Sequence, residues 1–187
     1  MKKALWSGLI AALAWAAPAW SAPAQVIVIR HGEKPAEGND LDSRGFARAD
    51  ALVDFFEHNP AVTKFGPPAA IYAMKPSGSN GSVRPIHTVA PLAKDLGLVI
   101  DADYLKDQLP QLVANILGNA SYDGKTVLIC WEHNAIPTLV EDFGWTSAPR
   151  SWSGKVFDRA WVLTFDGNAV VSFEDVPEHV LPGDSAD

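Results

Sequence analysis

The sequence predicts an α/β fold: a three-layer sandwich with a mainly parallel sheet flanked by helices and an antiparallel edge hairpin near the C-terminus. Three observations carry this expectation. Short β-branched apolar runs alternate with segments whose apolar residues recur at helical spacing, the pattern of a layered α/β domain. The last two apolar runs are separated only by Asp166-Gly167-Asn168, a hairpin signal. The chain of 187 residues also suits one core-bearing domain, with no repeat, low-complexity block or linker to divide it.

Each element has its own reason. Val26–Ile29 is a continuous β-branched run, suited to a strand buried on both faces. Asp42 or Ser43 can cap a helix from Arg44 to about His58, with Phe46, Ala49, Leu52, Val53 and Phe56 on one face. Asn59-Pro60 stops it. Ala69–Met74 is a second strand, and Pro76–Ser82 is by composition a flexible loop, either a lid or a plain connector. Arg84-Pro85 opens a helix to Leu96, with Pro91 expected to kink or restart it. Leu105, Leu109, Leu112, Val113 and Ile116 outline a further amphipathic helix. Thr126–Trp131 is a third buried strand, and Ala135–Phe143 is helical up to Gly144. Residues 160–165 and 169–173 form the hairpin, and residues 182–187 a loose tail.

The first 24 residues stand apart. Lys2-Lys3 is a basic n-region, Ala4–Ala17 a mostly apolar stretch, and Ala22-Pro23-Ala24 a small-x-small cleavage pattern. Residues 1–24 are therefore expected to be a secretory signal peptide and residues 25–187 the mature domain, exported to the periplasm or the extracellular space. Removal of the leader leaves 163 residues with 13 basic and 22 acidic side chains, a formal charge of −9. The apolar stretch is too short and interrupted for a membrane span, which needs roughly 18 apolar residues or more, so no stable membrane insertion is expected after cleavage. An acidic chain without Lys/Arg runs is a poor partner for nucleic acid. A single cysteine, Cys130, excludes an intramolecular disulfide framework and a cysteine-rich zinc site.

Ligands of open α/β sheets bind beyond the carboxyl ends of the strands. Arg30-His31-Gly32-Glu33 follows the first strand, Arg84 opens the helix after the second, and Glu132-His133-Asn134 follows the third. Two Arg and two His thus converge on one rim. Arg carries a planar donor fork matched to phosphate oxygens, and a neutral His has a lone pair that can attack phosphorus. Fixed cations around the transferring group lower the barrier, so a small phosphorylated substrate is expected, with no metal and no other cofactor required.

The segments VIVIRHGEKP, LDSRGFARADAL, SVRPIHTVAPLAKDLGL and VLICWEHNAIPTL resemble the histidine phosphatase superfamily, in its phosphoglycerate-mutase-like branch. The likeness runs from about Val26 to Phe165. Arg-His-Gly alone is weak evidence; its place after a buried strand, followed in order by the Arg-Pro helix and the strand-His element, is more specific. The resemblance implies that His31 is the nucleophile that becomes phosphohistidine, that Arg30, Arg84 and His133 bind the phosphoryl oxygens, and that water hydrolyses the intermediate.

Two departures from the family pattern matter. Larger members carry a general-acid Glu between the positions of Arg84 and His133, and here that interval holds only Asp residues before Trp131. The candidate acids are Asp103, Glu33 and Glu132. His133-Asn134-Ala135 also stands where mutases commonly have His-Gly-Gly, which with the short chain resembles the small phosphatases. The expected function is hydrolysis of phosphate monoesters or related phosphoryl compounds. The alternatives are a phosphomutase of the same family and a non-catalytic phosphoryl-ligand binding protein.

Overall fold

The computed structural model of the chain describes residues 22–185, so the leader expected at residues 1–24 lies, up to residue 21, outside the described residues. In chain order the elements are β1 (Gln25–Arg30), α1 (Ser43–His58), α2 (Pro60–Thr63), β2 (Pro68–Ala73), α3 (Arg84–Asp95), β3 (Ile100–Asp101), α4 (Leu109–Gly118), β4 (Thr126–Trp131), α5 (Ile136–Asp142), β5 (Arg159–Asp166) and β6 (Ala169–Pro177). They build one six-stranded sheet in the order β3-β2-β4-β1-β5-β6. The first four strands are parallel. β5 runs antiparallel to β1, and β6 to β5, as the hairpin signal predicts.

The β-branched runs became strands because both their faces are covered. Every residue of β1 and of β4 is buried. Side chains alternate across a strand, so Val26 and Val28 pack with Leu112 and Ile116 of α4 and Ile136 and Leu139 of α5. Ile27 and Ile29 pack on the other side with Leu52 and Phe56 of α1 and Val89 and Leu92 of α3. β4 repeats the pattern, with Val127 and Ile129 on one side and Leu128 and Cys130 on the other. Cys130 is a buried small hydrophobe in this packing. The result is the three-layer sandwich expected from the alternation. Among the described residues, no helix is long and apolar enough to cross a membrane.

Asp42 is the cap of α1, its carboxylate accepting from Gly45 N at 2.8 Å. Three local expectations need correction and one is extended. α3 does not restart at Pro91 but continues through it, because the surrounding turn packs Val89, Leu92 and Ala93 into the core and tertiary burial outweighs one missing amide donor. Leu105 lies outside α4, whose start is set by Pro110 in its first turn. Asn59-Pro60 ends α1 but also starts α2, the Asn59 side chain accepting from Ala61 N at 3.0 Å. The C-terminal segment is not a loose tail up to Ser185. Asp184 and Ser185 are docked by ion pairs and hydrogen bonds that composition does not reveal.

Candidate active site

β1 and β4 run side by side in register, Arg30 beside Trp131, and His31 N donates to Trp131 O at 3.1 Å. The segments after both strands therefore leave the sheet at one level. Strand alternation sends Arg30 toward the α4/α5 layer and His31 toward the α1/α3 layer, so the site straddles the sheet edge.

His31 is buried. Its Nδ1 lies 2.8 Å from Gly32 O. A carbonyl can only accept, so Nδ1 carries the proton and the lone pair sits on Nε2. Burial, joined by the positive Arg30 and Arg84 and by His133, lowers the His31 pKa to about 4. The ring is neutral at neutral pH, with its nucleophilic nitrogen uncharged.

The turn that carries His31 is fixed by close backbone packing. Gly32 N donates to Thr88 Oγ1 at 2.8 Å, and Thr88 donates in turn to Arg84 O at 2.8 Å, so one hydroxyl joins the turn that carries His31 to the first turn of α3. Thr88 escaped the sequence reading. Its only signal was its place four residues after Arg84, where a Thr hydroxyl can bond back along the helix. A Cβ on Gly32 would meet Gly45 O at 3.0 Å, and one on Gly45 would meet Glu33 O at 2.3 Å. The two glycines let α1 sit directly against the turn. Gly45→Ala is expected to destabilise the protein by about 1–3 kcal/mol through overpacking. Urea denaturation measures this, and a loss below about 0.5 kcal/mol would contradict the close approach.

Arg30 is fully buried and held from behind. Its Nη1 donates to the carbonyls of Ser153 (3.3 Å), Gly154 (3.1 Å) and Val156 (2.6 Å). Its guanidinium lies 3.6 Å from the centroid of the Phe157 ring, which is itself 6.2 Å from the His31 ring. Burial lowers its pKa to about 10, so it stays charged at neutral pH. Nε is buried without a hydrogen-bond partner among the described residues. A charged donor held this way matches an anion acceptor. The 144–158 loop thus acts through its backbone, gripping Arg30. Its Trp residues cap the core instead: Trp152 packs on Trp161 at 4.9 Å and Trp145 stacks on Phe173 at 6.3 Å.

Arg84 opens α3 as expected. Its Nε donates to Asp40 O at 3.0 Å, its Nη1 to Ser82 Oγ at 3.3 Å, and its Nη2 to Gly38 O. A guanidinium has five N–H groups, so two remain for a ligand. Val83 N donates to Asn39 O and Asn39 Nδ2 to Gly81 O at 3.2 Å, tying the 76–83 loop to the loop after β1. His87 takes part in the same junction, its Nδ1 2.6 Å from Asp40 Oδ1.

His133 lies in a turn after β4, and α5 begins three residues later, at Ile136. A Cβ on Gly154 would lie 3.5 Å from His133 Nε2, so the loop that grips Arg30 also faces His133. Burial, then Arg30, keeps the His133 pKa below the ordinary histidine value.

The three candidate acids fare differently. Glu33 is committed elsewhere: it forms a two-point pair with Arg48 (Oε2 to Nε 3.0 Å, Oε1 to Nη2 2.8 Å) and a contact with Arg44 Nε at 2.9 Å. Burial pushes its pKa up, but Arg48 and Arg44 outweigh this and hold it below the usual carboxylate value. An ionised, doubly paired carboxylate is a poor proton donor. Asp103 is exposed beyond β3. That edge strand stands three positions from β1, roughly 14 Å across the sheet at ordinary strand spacing, which separates it from His31. Glu132 is the carboxylate on the rim, 3.3 Å from His133 Nδ1 and 2.9 Å from Lys106 Nζ. Burial raises its pKa, but Lys106 and Asn134 outweigh that, so it too is held ionised.

No protein-family model matches the chain, and no curated protein matches it by sequence. Solved structures do resemble it. The protein histidine phosphatase SixA complexed with tungstate is similar with a TM-score of 0.57 at 15% identity, over 82% of this chain and 97% of that one. The alpha-ribazole phosphatase from Shigella flexneri gives 0.57 at 11%, over 82% and 96%. Phosphoglycerate mutase from Plasmodium falciparum gives 0.54 at 17%, over 87% and 96%. At these identities the likeness is one of fold. The chain shares the fold of these two phosphatases and of this mutase.

Proposed function

We propose that the protein is an exported, metal-independent phosphatase that hydrolyses phosphate monoesters or related phosphoryl compounds through a phosphohistidine on His31. The His31 ring carries this reading. It is buried and kept neutral by that burial and by the positive Arg30 and Arg84, and its Nδ1–H is fixed on Gly32 O. Nε2 attacks phosphorus, the N–P bond forms and the bond to the leaving oxygen breaks. Arg30, through Nε and Nη2, and Arg84, through its two remaining N–H groups, bind the equatorial oxygens, with His133 on the third side. Water then attacks phosphorus, the lone pair returns to Nε2 and phosphate departs. The two guanidiniums supply the positive charge that a metal would otherwise bring.

Glu132 and Glu33 are both held ionised, which favours leaving groups that depart without a donated proton: acyl phosphates, phosphohistidine and aryl phosphates. Release of free inorganic phosphate separates a phosphatase from a mutase. Export rests on the leader pattern. The last residues of that leader also touch the domain: Ala22 packs in the core and Ala24 O accepts from Phe165 N at 3.0 Å.

Phosphate release from p-nitrophenyl phosphate tests the proposal. Activity is expected to persist in excess EDTA, and EDTA-sensitive turnover would contradict it. The pH profile is a second readout. Protonation of His31 removes its lone pair, so kcat/KM should fall only as the pH drops through about 4. An acid limb centred near 6.5, the ordinary histidine value, would contradict the buried nucleophile.

A further inference from the structure

We propose that the C-terminal segment 178–185 is a clasp that positions the phosphoryl-transfer site, with Arg48 its positioning residue. The inference rests on the reading of His31 as nucleophile and adds a dependence on residues 178–185. Arg48 is buried on α1. One side of its guanidinium holds Glu33, two residues from His31. The other holds Asp184, Nη2 to Oδ1 at 2.7 Å and Nη1 to Oδ2 at 3.1 Å, and Glu178 Oε2 at 3.1 Å. Arg44 doubles the bridge, reaching Glu33 Oε1, Asp184 Oδ1 at 2.8 Å and Pro182 O at 3.0 Å. Asp184 Oδ2 also accepts from Val180 N and Leu181 N, closing the segment on itself.

The segment grips the opposite wall as well. Ser185 N and Oγ both donate to Asp158 Oδ2, at 2.5 and 2.7 Å, and Glu178 N donates to Asp158 O at 2.8 Å. Asp158 adjoins Phe157, the ring against which Arg30 lies. One short segment therefore spans from the turn that carries the nucleophile to the loop that holds the phosphate-binding Arg30. Burial pushes the Glu178 carboxyl well above its usual pKa, while Arg48 holds Asp184 below its own against the same effect. Two guanidiniums thus meet three carboxyl groups: Glu33 and Asp184, held below their usual pKa, and Glu178, which burial pushes up. Removal of Asp184's charge unbalances the bridge and frees both walls. Small displacements of reacting groups can cost on the order of 10²-fold in rate.

Asp184→Asn in the full chain is the test, with Asp175→Asn as control; Asp175 is a β6 carboxylate paired with Arg159 outside the clasp. Asp184→Asn is expected to lower kcat for p-nitrophenyl phosphate by about 10- to 100-fold while KM moves less than about threefold, and the control to leave both unchanged. The His31 ring, followed by NMR titration, should shift its midpoint upward from about 4 as solvent reaches it. A kcat within twofold of wild type together with an unmoved His31 titration would overturn the proposal. If Asp184→Asn does not fold, Ser185→Ala, which deletes only the hydroxyl bond to Asp158, is expected to show smaller shifts of the same sign; no shift in either readout would overturn it. A wild type that does not turn over would sink the nucleophile reading, and the His31 titration would still decide the clasp.

Discussion

His31→Ala is expected to hydrolyse p-nitrophenyl phosphate at least about 10⁴-fold more slowly than wild type, since loss of a nucleophile removes the pathway itself rather than one stabilising contact. The substitution leaves the Gly32–Thr88 bond in place, because that bond is made by backbone and Thr88. The fold should therefore survive, and a cooperative melt near that of wild type separates lost chemistry from lost structure. Adding Arg30→Lys to His31→Ala should cost little more, because groups that act on one transition state are not additive once the pathway is gone. Retention of more than a tenth of wild-type activity in His31→Ala would place the nucleophile elsewhere.

Arg30→Lys carries the second large effect. Lysine keeps the charge but lacks the planar fork. In Arg30 one nitrogen holds three loop carbonyls while Nε is buried with no partner among the described residues, and an ammonium cannot both hold the carbonyls and present that second donor. Loss of one preorganised donor to the transferring group typically costs about 10²–10³ in rate. A comparable loss of kcat/KM is expected, with a lower melting temperature as Ser153, Gly154 and Val156 lose their shared donor. A change below about threefold would show that Arg30 serves the loop alone. The two functions can be separated, because the structural share shows in the melt and the ligand share in the kinetics.

The sequence made the strands and the rim legible because both follow from local rules. β1 and β4 are continuous apolar runs, and the residues after them leave a parallel sheet at one edge. Arg30, His31, Arg84 and His133 were placed by that rule and the order of the motifs. Glu33 stands two residues from His31, but that spacing does not show which way its side chain turns. Its orientation is decided by Arg48 and Asp184, one on the next helix and one at the far end of the chain. The C-terminal segment, read as loose from its Pro-Gly-Asp-Ser composition, is docked by the same ion pairs. The grip of the 153–156 carbonyls on Arg30 left no trace in side-chain pattern, because backbone acceptors have none. Long-range polar contacts of this kind carry no periodicity, which is why the second ring of the site was hidden while the first was visible.

The central claim is a covalent phosphohistidine on His31. Wild type mixed with an excess of an aryl phosphate in EDTA, quenched within the first turnover under alkaline conditions and digested for mass spectrometry, measures it most directly. A phosphoryl adduct on the peptide carrying His31, stable to alkali, labile to acid and absent from His31→Ala, is the expected result. Turnover with no adduct on His31, or with an adduct on another residue, would contradict the mechanism.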